Sequence, residues 1–514
     1  MSELLTDLVA KWAVATPDSL AIGYGDQEFT WVQWFERIRR LAGALTGAGI
    51  GRGDRVAFLD KNHSACLETM IAAAMLGAAT AIINWRLVSD ELAYVLDDCG
   101  ARVAFVGAEF VDAVTTLRSS LTGLERVIVV GGEVNPYECF LAEGELADSA
   151  PDVIERDDAL IVYSSGTTGR PKGVVLSQRA LVAHTVNAGA AFGYADGDKN
   201  FVAMPLFHVG GICFAFFGIR AGVQTIIGRD TEVALLAEAI SDGVTHTFLV
   251  PPVIASFLAA GREAVAAMSR LRYLAYGAAP MPRPLLRRAL RAWPSLNFVQ
   301  VFGQTELCGA VTTLAPEDHR DLQRQHLLVS VGRPVAGCEI RIVDIESDDV
   351  AKIGELGEIW VRTDQRMTRY LNKLDATVET ITDDGWVRTG DIGRVDKAGY
   401  VYVEDRLKDL IITGGENVYG PEVERVLMGH PAIADAAVIG VPDDRWGESV
   451  KAIVVTDHDD LRAEDVIAFC RLRIAGYKCP RTIDFVAALP RNASGKILKR
   501  ELRNPYWKLH DRAV

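Results

Sequence analysis

The run from Tyr163 to Val174, YSSGTTGRPKGV, constrains this chain more than any other stretch. It places three glycines (Gly166, Gly169, Gly173), four hydroxyl side chains (Ser164, Ser165, Thr167, Thr168) and Lys172 in twelve residues, directly after the apolar Ala159 to Val162. That order predicts a strand opening into a donor-rich loop. Glycines let the backbone turn with positive φ and come close to a ligand, successive N–H groups form an anion-binding nest, and Lys172 adds a point charge. A phosphate chain is the guest such a loop suits. Ordinary surface loops share the composition, so the spacing matters. Gly173 follows Lys172, so the run is not G-x-x-x-x-G-K-[ST], and it contains no G-x-G-x-x-G.

A chain of 514 residues exceeds what one hydrophobic core usually holds, and two or more domains are expected. Apolar residues at 49% and charged residues at 24% are the balance of an ordinary globular protein in water. The net charge of −14 argues against a general binder of nucleic acid or anionic membranes, and leaves room for a local basic site. Glu3 and Asp7 stand where a secretory signal would carry basic residues. The most apolar run, Val209 to Ile219, is shorter than a membrane span and ends at Arg220, so a buried segment is expected and no integral membrane segment. Eight cysteines lack both a C-x-x-C pair and a His at zinc spacing, the usage of reduced, mostly buried thiols in a cytoplasmic protein.

Helix and strand patterns alternate from the start: Trp34, Ile38, Leu41 and Leu45 at helical spacing, then Val56 to Leu59. An Ala-rich helix around Glu68 to Leu76 precedes Ala79 to Ile83, and a helix over Asp90 to Leu96, capped by Ser89, precedes Val103 to Val106. Further strands are expected at Gln224 to Ile227, Thr247 to Val250, Leu271 to Tyr276 and Phe298 to Phe302. This is the pattern of a layered α/β protein with a largely parallel sheet. Ser177 is a candidate helix N-cap. Alternation from Gly332 to Val361 suggests a smaller β subdomain, and the last hundred or so residues carry a short α/β pattern, enough for a small domain. In FVAMPLFHVGG, Phe201 to Gly211, Pro205 and the double glycine place His208 on a loop after a strand, where ligands gather at the carboxyl edge of a parallel sheet.

YSSGTTGRPKG resembles the signature loop of the adenylate-forming superfamily, which contains acyl- and aryl-CoA synthetases, peptide-synthetase adenylation domains and beetle luciferases. Other segments resemble its motifs in the same order. PLFHVGG is similar to the motif whose aromatic or His residue, here His208, lies beside the acyl carboxylate. YGAAPMP (Tyr276 to Pro282) with Phe302 and Gly303 looks like the adenine-binding part, implying contacts from Gly277, Ala278, Ala279 and Pro280. In GQTE, the resemblance implies Thr305 at the α-phosphate and Glu306 at Mg²⁺, a hard cation suited to carboxylate oxygen. Families commonly show Tyr at the position of Phe302, so stacking on adenine is retained and a hydroxyl contact is lost. GWVRTGDIG implies Asp391 as acceptor for both ribose hydroxyls, a task that suits two carboxylate oxygens. Arg406 is the implied second ribose contact, Lys408 the hinge, and Gly414 and Gly415 the face of the pantetheine channel. LPRNASGKILKR is similar to the last motif, with Lys499 where Arg is usual, and makes Lys496 the lysine of adenylation. An ammonium between two approaching anions stabilises the charge that builds in transit.

The resemblance implies a large N-terminal ATP- and acyl-binding domain over 1–404, a hinge at 405–408 and a mobile C-terminal domain over 409–514. It implies ATP, Mg²⁺ and coenzyme A, with Ser164, Ser165, Gly166, Thr167, Thr168, Gly169 and Lys172 on phosphate. Gly210, Gly211, Phe214, Phe217, Cys308 and Gly309, with Ala310, are expected around the acyl group. They are small or apolar and carry no fixed charge, so a medium or long fatty acid or a bulky alicyclic acid is expected. Aryl-CoA ligation, acyl-AMP ligation onto a carrier protein and a nucleotide-binding homologue without catalysis stay open as alternatives. Partners are expected to be small molecules, with a homodimer allowed.

Overall fold

The computed structural model describes residues 3–164, 170–230, 232–414, 416–443, 445–458, 460–491 and 495–507. Two compact units form, Met1–Glu339 with Val361–Val387, and Ile340–Trp360 with Arg388–Val514.

The first unit holds two large sheets. In the nine-stranded one, the strands Asn297–Gln304, Tyr273–Gly277, His246–Leu249, Lys199–Val202, Gln224–Ile227 and Leu20–Tyr24 run parallel in that order. Antiparallel strands flank this run. In the seven-stranded sheet, Asp158–Ser164, Ala79–Ile82, Arg55–Leu59, Val103–Gly107 and Arg126–Val130 are parallel. The hairpin partner Lys172–Ser177 and then Arg369–Tyr370 add antiparallel at one edge. The expected parallel α/β layering is therefore found, and among the described residues no helix is long and apolar enough to cross a membrane.

The helix Ser64–Met75 is buried along its whole length and packs against strands of both sheets. Its run of alanines suits it to a position with no solvent face. Its one acid, Glu68, is fully buried and paired: Arg37 reaches it at 2.7 Å and the Tyr137 hydroxyl donates to it at 2.6 Å. Burying a carboxylate is tolerable only with such partners.

One local expectation changes. Ser89 is the first residue of the helix Ser89–Cys99 and not its cap; Val88 precedes the helix, and Glu91 accepts from the Val88 N–H at 3.3 Å, so the acid closes the first turn. His208 does end the loop after the strand Lys199–Val202, and Gly210 and Gly211 lie inside the helix Val209–Ala221 that follows it. Close packing explains this: a Cβ at Gly211 would lie 2.4 Å from the Pro205 carbonyl oxygen, and one at Gly210 would lie 3.0 Å from the Phe248 ring. Ser177 does cap the helix Gln178–Asn187, accepting from the Ala180 N–H at 3.2 Å.

The second unit contains most of a four-stranded sheet, Cys338–Val343, Gly357–Thr363, Trp386–Val395 and Val401–Arg406. It also has a five-stranded sheet built on the long antiparallel pair Asp435–Asp443 and Gly447–Val455. All eight cysteines are free, and only Cys139, on the helix Pro136–Glu143, is exposed.

Gly211→Ala forces its new methyl against the Pro205 carbonyl. A loss of about 1–3 kcal/mol is expected from such overpacking, read as a lowered midpoint of chemical unfolding of the first unit, whereas Gly51→Ala, in open space, is expected to leave it in place.

Candidate active site

The phosphate-loop hairpin is fixed by its register. Ser164 pairs with Lys172 and Tyr163 with Gly173, so the strands close at the two residues the sequence reading selects. Ser165, Gly166, Thr167, Thr168 and Gly169 lie outside the described residues. The Lys172 Nζ stands 4.9 Å from the centre of the Tyr370 ring, and the Tyr370 hydroxyl donates to Glu306 Oε1 at 2.8 Å. One tyrosine thus links the loop lysine to the expected metal carboxylate.

Thr305 and Glu306 lie on the single turn Thr305–Leu307 that ends the strand Asn297–Gln304. Phe302 and Gly303 flank a bulge in that strand, and a Cβ on Gly303 would fall 1.7 Å from the Gly309 carbonyl oxygen, so only glycine fits. Gly277 closes the neighbouring strand Tyr273–Gly277, and Ala278 follows it with φ 62°, leading into Ala279 and Pro280. Cys308 and Gly309 form a left-handed bend, φ 54° and 107°. Gln365 fastens that bend, donating to the Leu307 and Ala310 carbonyls at 2.9 and 2.8 Å.

His208 is the N-cap residue of the helix Val209–Ala221. Burial, and then the Arg86 guanidinium, lower its pKa to about 4, so it is neutral at pH 7. Its buried Nε2 has no hydrogen-bond partner among the described residues. Further along the helix, Phe214 meets Phe192 edge to face at 5.7 Å, and Phe217 stacks on His184 at 5.0 Å. Cys213, just before Phe214 in sequence, donates its thiol to the Cys308 carbonyl at 3.0 Å.

In the second unit, Asp391 and Arg406 are direct cross-strand partners, joined by an ion pair of 2.6 Å. Lys408 lies on the short turn Leu407–Asp409 that follows, where Arg503 donates to its carbonyl at 2.9 Å and pairs with Asp409 at 2.7 Å. Lys496 feels Arg406, Asp391, Lys408 and Asp409. Burial, then the Arg406 charge, lower its pKa to about 8. Gly414 has φ 61° and donates to the Trp446 carbonyl at 2.8 Å; Gly415 lies outside the described residues. Lys499 keeps the charge of the usual Arg and is held by Glu424 at 2.8 Å, with Asp405 nearby.

Tyr370, Gln365 and His184 were not legible as site residues. Tyr370 and Glu306 are 64 positions apart, and no local pattern joins them.

Residues 9–371 match the AMP-binding enzyme family and residues 422–496 match the AMP-binding enzyme C-terminal domain. The chain is 36% identical over 500 residues to a feruloyl-CoA synthase of Amycolatopsis sp, covering 96% of each chain. It is 34% identical over 509 residues to the fatty acid–[acyl-carrier-protein] ligase ScoC of Streptomyces coeruleorubidus, covering 98% of this chain and 96% of that one. The structure of o-succinylbenzoate CoA synthetase from Bacillus subtilis with its acyl-adenylate superposes with a TM-score of 0.83 at 30% identity, over 96% of this chain and 97% of that one. That synthetase has also been seen with ATP and a magnesium ion.

The chain belongs to the AMP-binding enzyme family, within the adenylate-forming superfamily. It is an acid–thiol ligase working through an acyl-adenylate, with ATP, Mg²⁺ and coenzyme A as co-substrates and cation. The donor set fits these groups. Glu306 offers a hard carboxylate already oriented by Tyr370, and Lys172 and Thr305 offer a cation and a hydroxyl for phosphate. Mg²⁺ is a cation usually held by one or two carboxylates with phosphate and water, and Glu306 would supply such a carboxylate.

Tyr370→Phe removes the donor to Glu306 and keeps the ring beneath Lys172. A hydrogen bond to a charged group is worth about 1.5–3 kcal/mol, so kcat/KM for MgATP is expected to fall roughly ten- to a hundredfold in steady-state kinetics, without a comparable loss of thermal stability.

Proposed function

We propose that this enzyme activates an uncharged, hydrophobic carboxylic acid, a medium or long fatty acid or a bulky alicyclic acid, and transfers it to coenzyme A. The observation that carries this reading is the buried wall of Phe214, Phe217 and Cys308, which carries no charge at neutral pH, with neutral His208 at the N-cap of the helix that holds both phenylalanines. The stacking of Phe217 on His184 favours a second reading, a flat aryl acid.

In the first half-reaction the acid's carboxylate oxygen attacks the α-phosphorus of ATP and pyrophosphate leaves. Neutral His208 donates from Nε2 to the acyl carboxylate without adding a competing cation, which uses its unpartnered nitrogen. Ser164 and Lys172 hold the departing phosphates with the residues of the loop, Thr305 holds the α-phosphate, and Asp391 with Arg406 holds the ribose. Lys496, as ammonium, stabilises the charge shared by the approaching anions. Mg²⁺ at Glu306 supplies neutralisation of phosphate charge.

In the second half-reaction the thiol attacks the acyl carbonyl and AMP leaves. A domain over 409–514 turning about a hinge at 405–408, at Lys408, would exchange Lys496 for the Gly414–Gly415 face between the two steps. Eight free cysteines suit a reducing, cytoplasmic setting. A carrier protein is the alternative thiol, and acyl transfer to coenzyme A against a phosphopantetheinylated carrier separates the two. A panel in which acetate or an amino acid outruns octanoate and benzoate would defeat the substrate reading.

Lys496→Ala is expected to abolish nearly all acid-dependent pyrophosphate release while sparing thioester formation from supplied acyl-adenylate; equal loss of both would refute this division of labour. Because the reactive form is the ammonium and its pKa is lowered to about 8, adenylation by the wild type is expected to hold below that pH and to decline as pH rises through it, in a pyrophosphate-release profile.

A further inference from the structure

His184, on the helix Gln178–Asn187, is 1% exposed. Its Nε2 accepts from the Ala310 N–H at 3.0 Å. A ring nitrogen that accepts carries the lone pair, so the imidazole proton belongs on Nδ1. That Nδ1 is also buried and has no hydrogen-bond partner among the described residues. Buried donors are almost always paired, because leaving one unpaired costs free energy, so this one requires an explanation.

Two neighbouring polar groups have partners of their own, and Cys213 also interacts with the imidazole. The Cys213 thiol donates to the Cys308 carbonyl at 3.0 Å, and the Thr185 hydroxyl donates to Val182 O at 2.7 Å. The backbone has been shaped to bring His184 here. A Cβ on Gly309 would sit 2.9 Å from His184 Nε2 and 3.4 Å from Cys213 Sγ, so a side chain there would obstruct the imidazole. Phe217 stacks on the ring at an interplanar angle of 24°. The result is a fixed N–H donor held against an aromatic ring.

We propose that His184 determines specificity by donating from Nδ1 to an oxygen carried by the acid away from its carboxyl group. Among ring-bearing acids, those with a distal ether, hydroxyl or carbonyl oxygen are then preferred over their hydrocarbon isosteres. This rests on the reading of Phe217, Cys308 and Gly309 as walls of the acyl pocket. A site built to hydrogen-bond a substrate group rejects the analogue lacking it far more strongly than an apolar pocket rejects an added hydroxyl.

The test uses the full chain with ATP, Mg²⁺ and coenzyme A, and 3-phenylpropanoates bearing methoxy or hydroxyl at each ring position, each paired with its ethyl or methyl isostere. At one position the oxygenated acid is expected to exceed its isostere by about tenfold or more in kcat/KM. His184→Phe keeps a ring against Phe217 without the donor and is expected to bring that ratio close to one, through loss on the oxygenated acid. His184→Gln, with an amide oxygen for Ala310 and an N–H to donate, is expected to retain part of it. An unchanged ratio in His184→Phe, or no preference for oxygen at any position in the wild type, overturns the proposal. If His184→Phe does not fold, the wild-type ratios and His184→Gln decide. Failure of every acid to release pyrophosphate would refute the ligase reading instead, and calorimetric binding of the same acid pairs then decides on His184 separately.

Discussion

Tyr370 is the joint on which the phosphate side of the first unit depends. Its backbone is held as a two-residue strand against the hairpin, opposite Val174. Its hydroxyl orients Glu306, and its ring lies beneath Lys172. Lys172 is in turn set by the hairpin register that pairs it with Ser164. A slip of one residue would turn every side chain of that strand to the opposite face. The position of the cation, the orientation of the carboxylate and the pairing of three strands are therefore a single constraint.

The second unit uses the same device with other chemistry. Asp391 and Arg406 face each other across an antiparallel pair, with a bulge at Ile392 and Gly393 just behind them. The bulge requires a bare backbone, since a Cβ on Gly393 would lie 2.3 Å from the Tyr402 carbonyl oxygen. Bulges bend a strand locally and re-aim its side chains. Lys496 lies in the field of this pair and of Lys408, and the nearby positive charges, after burial, make its proton easier to lose.

What the sequence could disclose was whatever is written locally. Gln224–Ile227 is a strand with the bounds that its apolar pattern suggests, and Ser177 caps the helix that follows it. The order of the glycine-rich loop, the TE turn and the two basic segments was sufficient for the family. Long-range contacts were not accessible in this way. Gln365 holds the Cys308–Gly309 bend across more than fifty residues, and His184 reaches Ala310 across more than a hundred. The double glycine helped to place His208 at the end of a loop, but what Gly210 and Gly211 do themselves was not written locally. Their missing side chains serve close packing inside a helix.

The distribution of the thiols has a practical consequence. Seven of the eight cysteines are buried, and Cys139 alone is exposed, on a short helix of the first unit. Thiol reagents react fastest with the accessible sulfur. A maleimide dye or spin label can therefore be attached at one defined position of the natural sequence, giving a fixed reporter against which a second label, added on a single engineered cysteine in the other unit, measures distances during turnover.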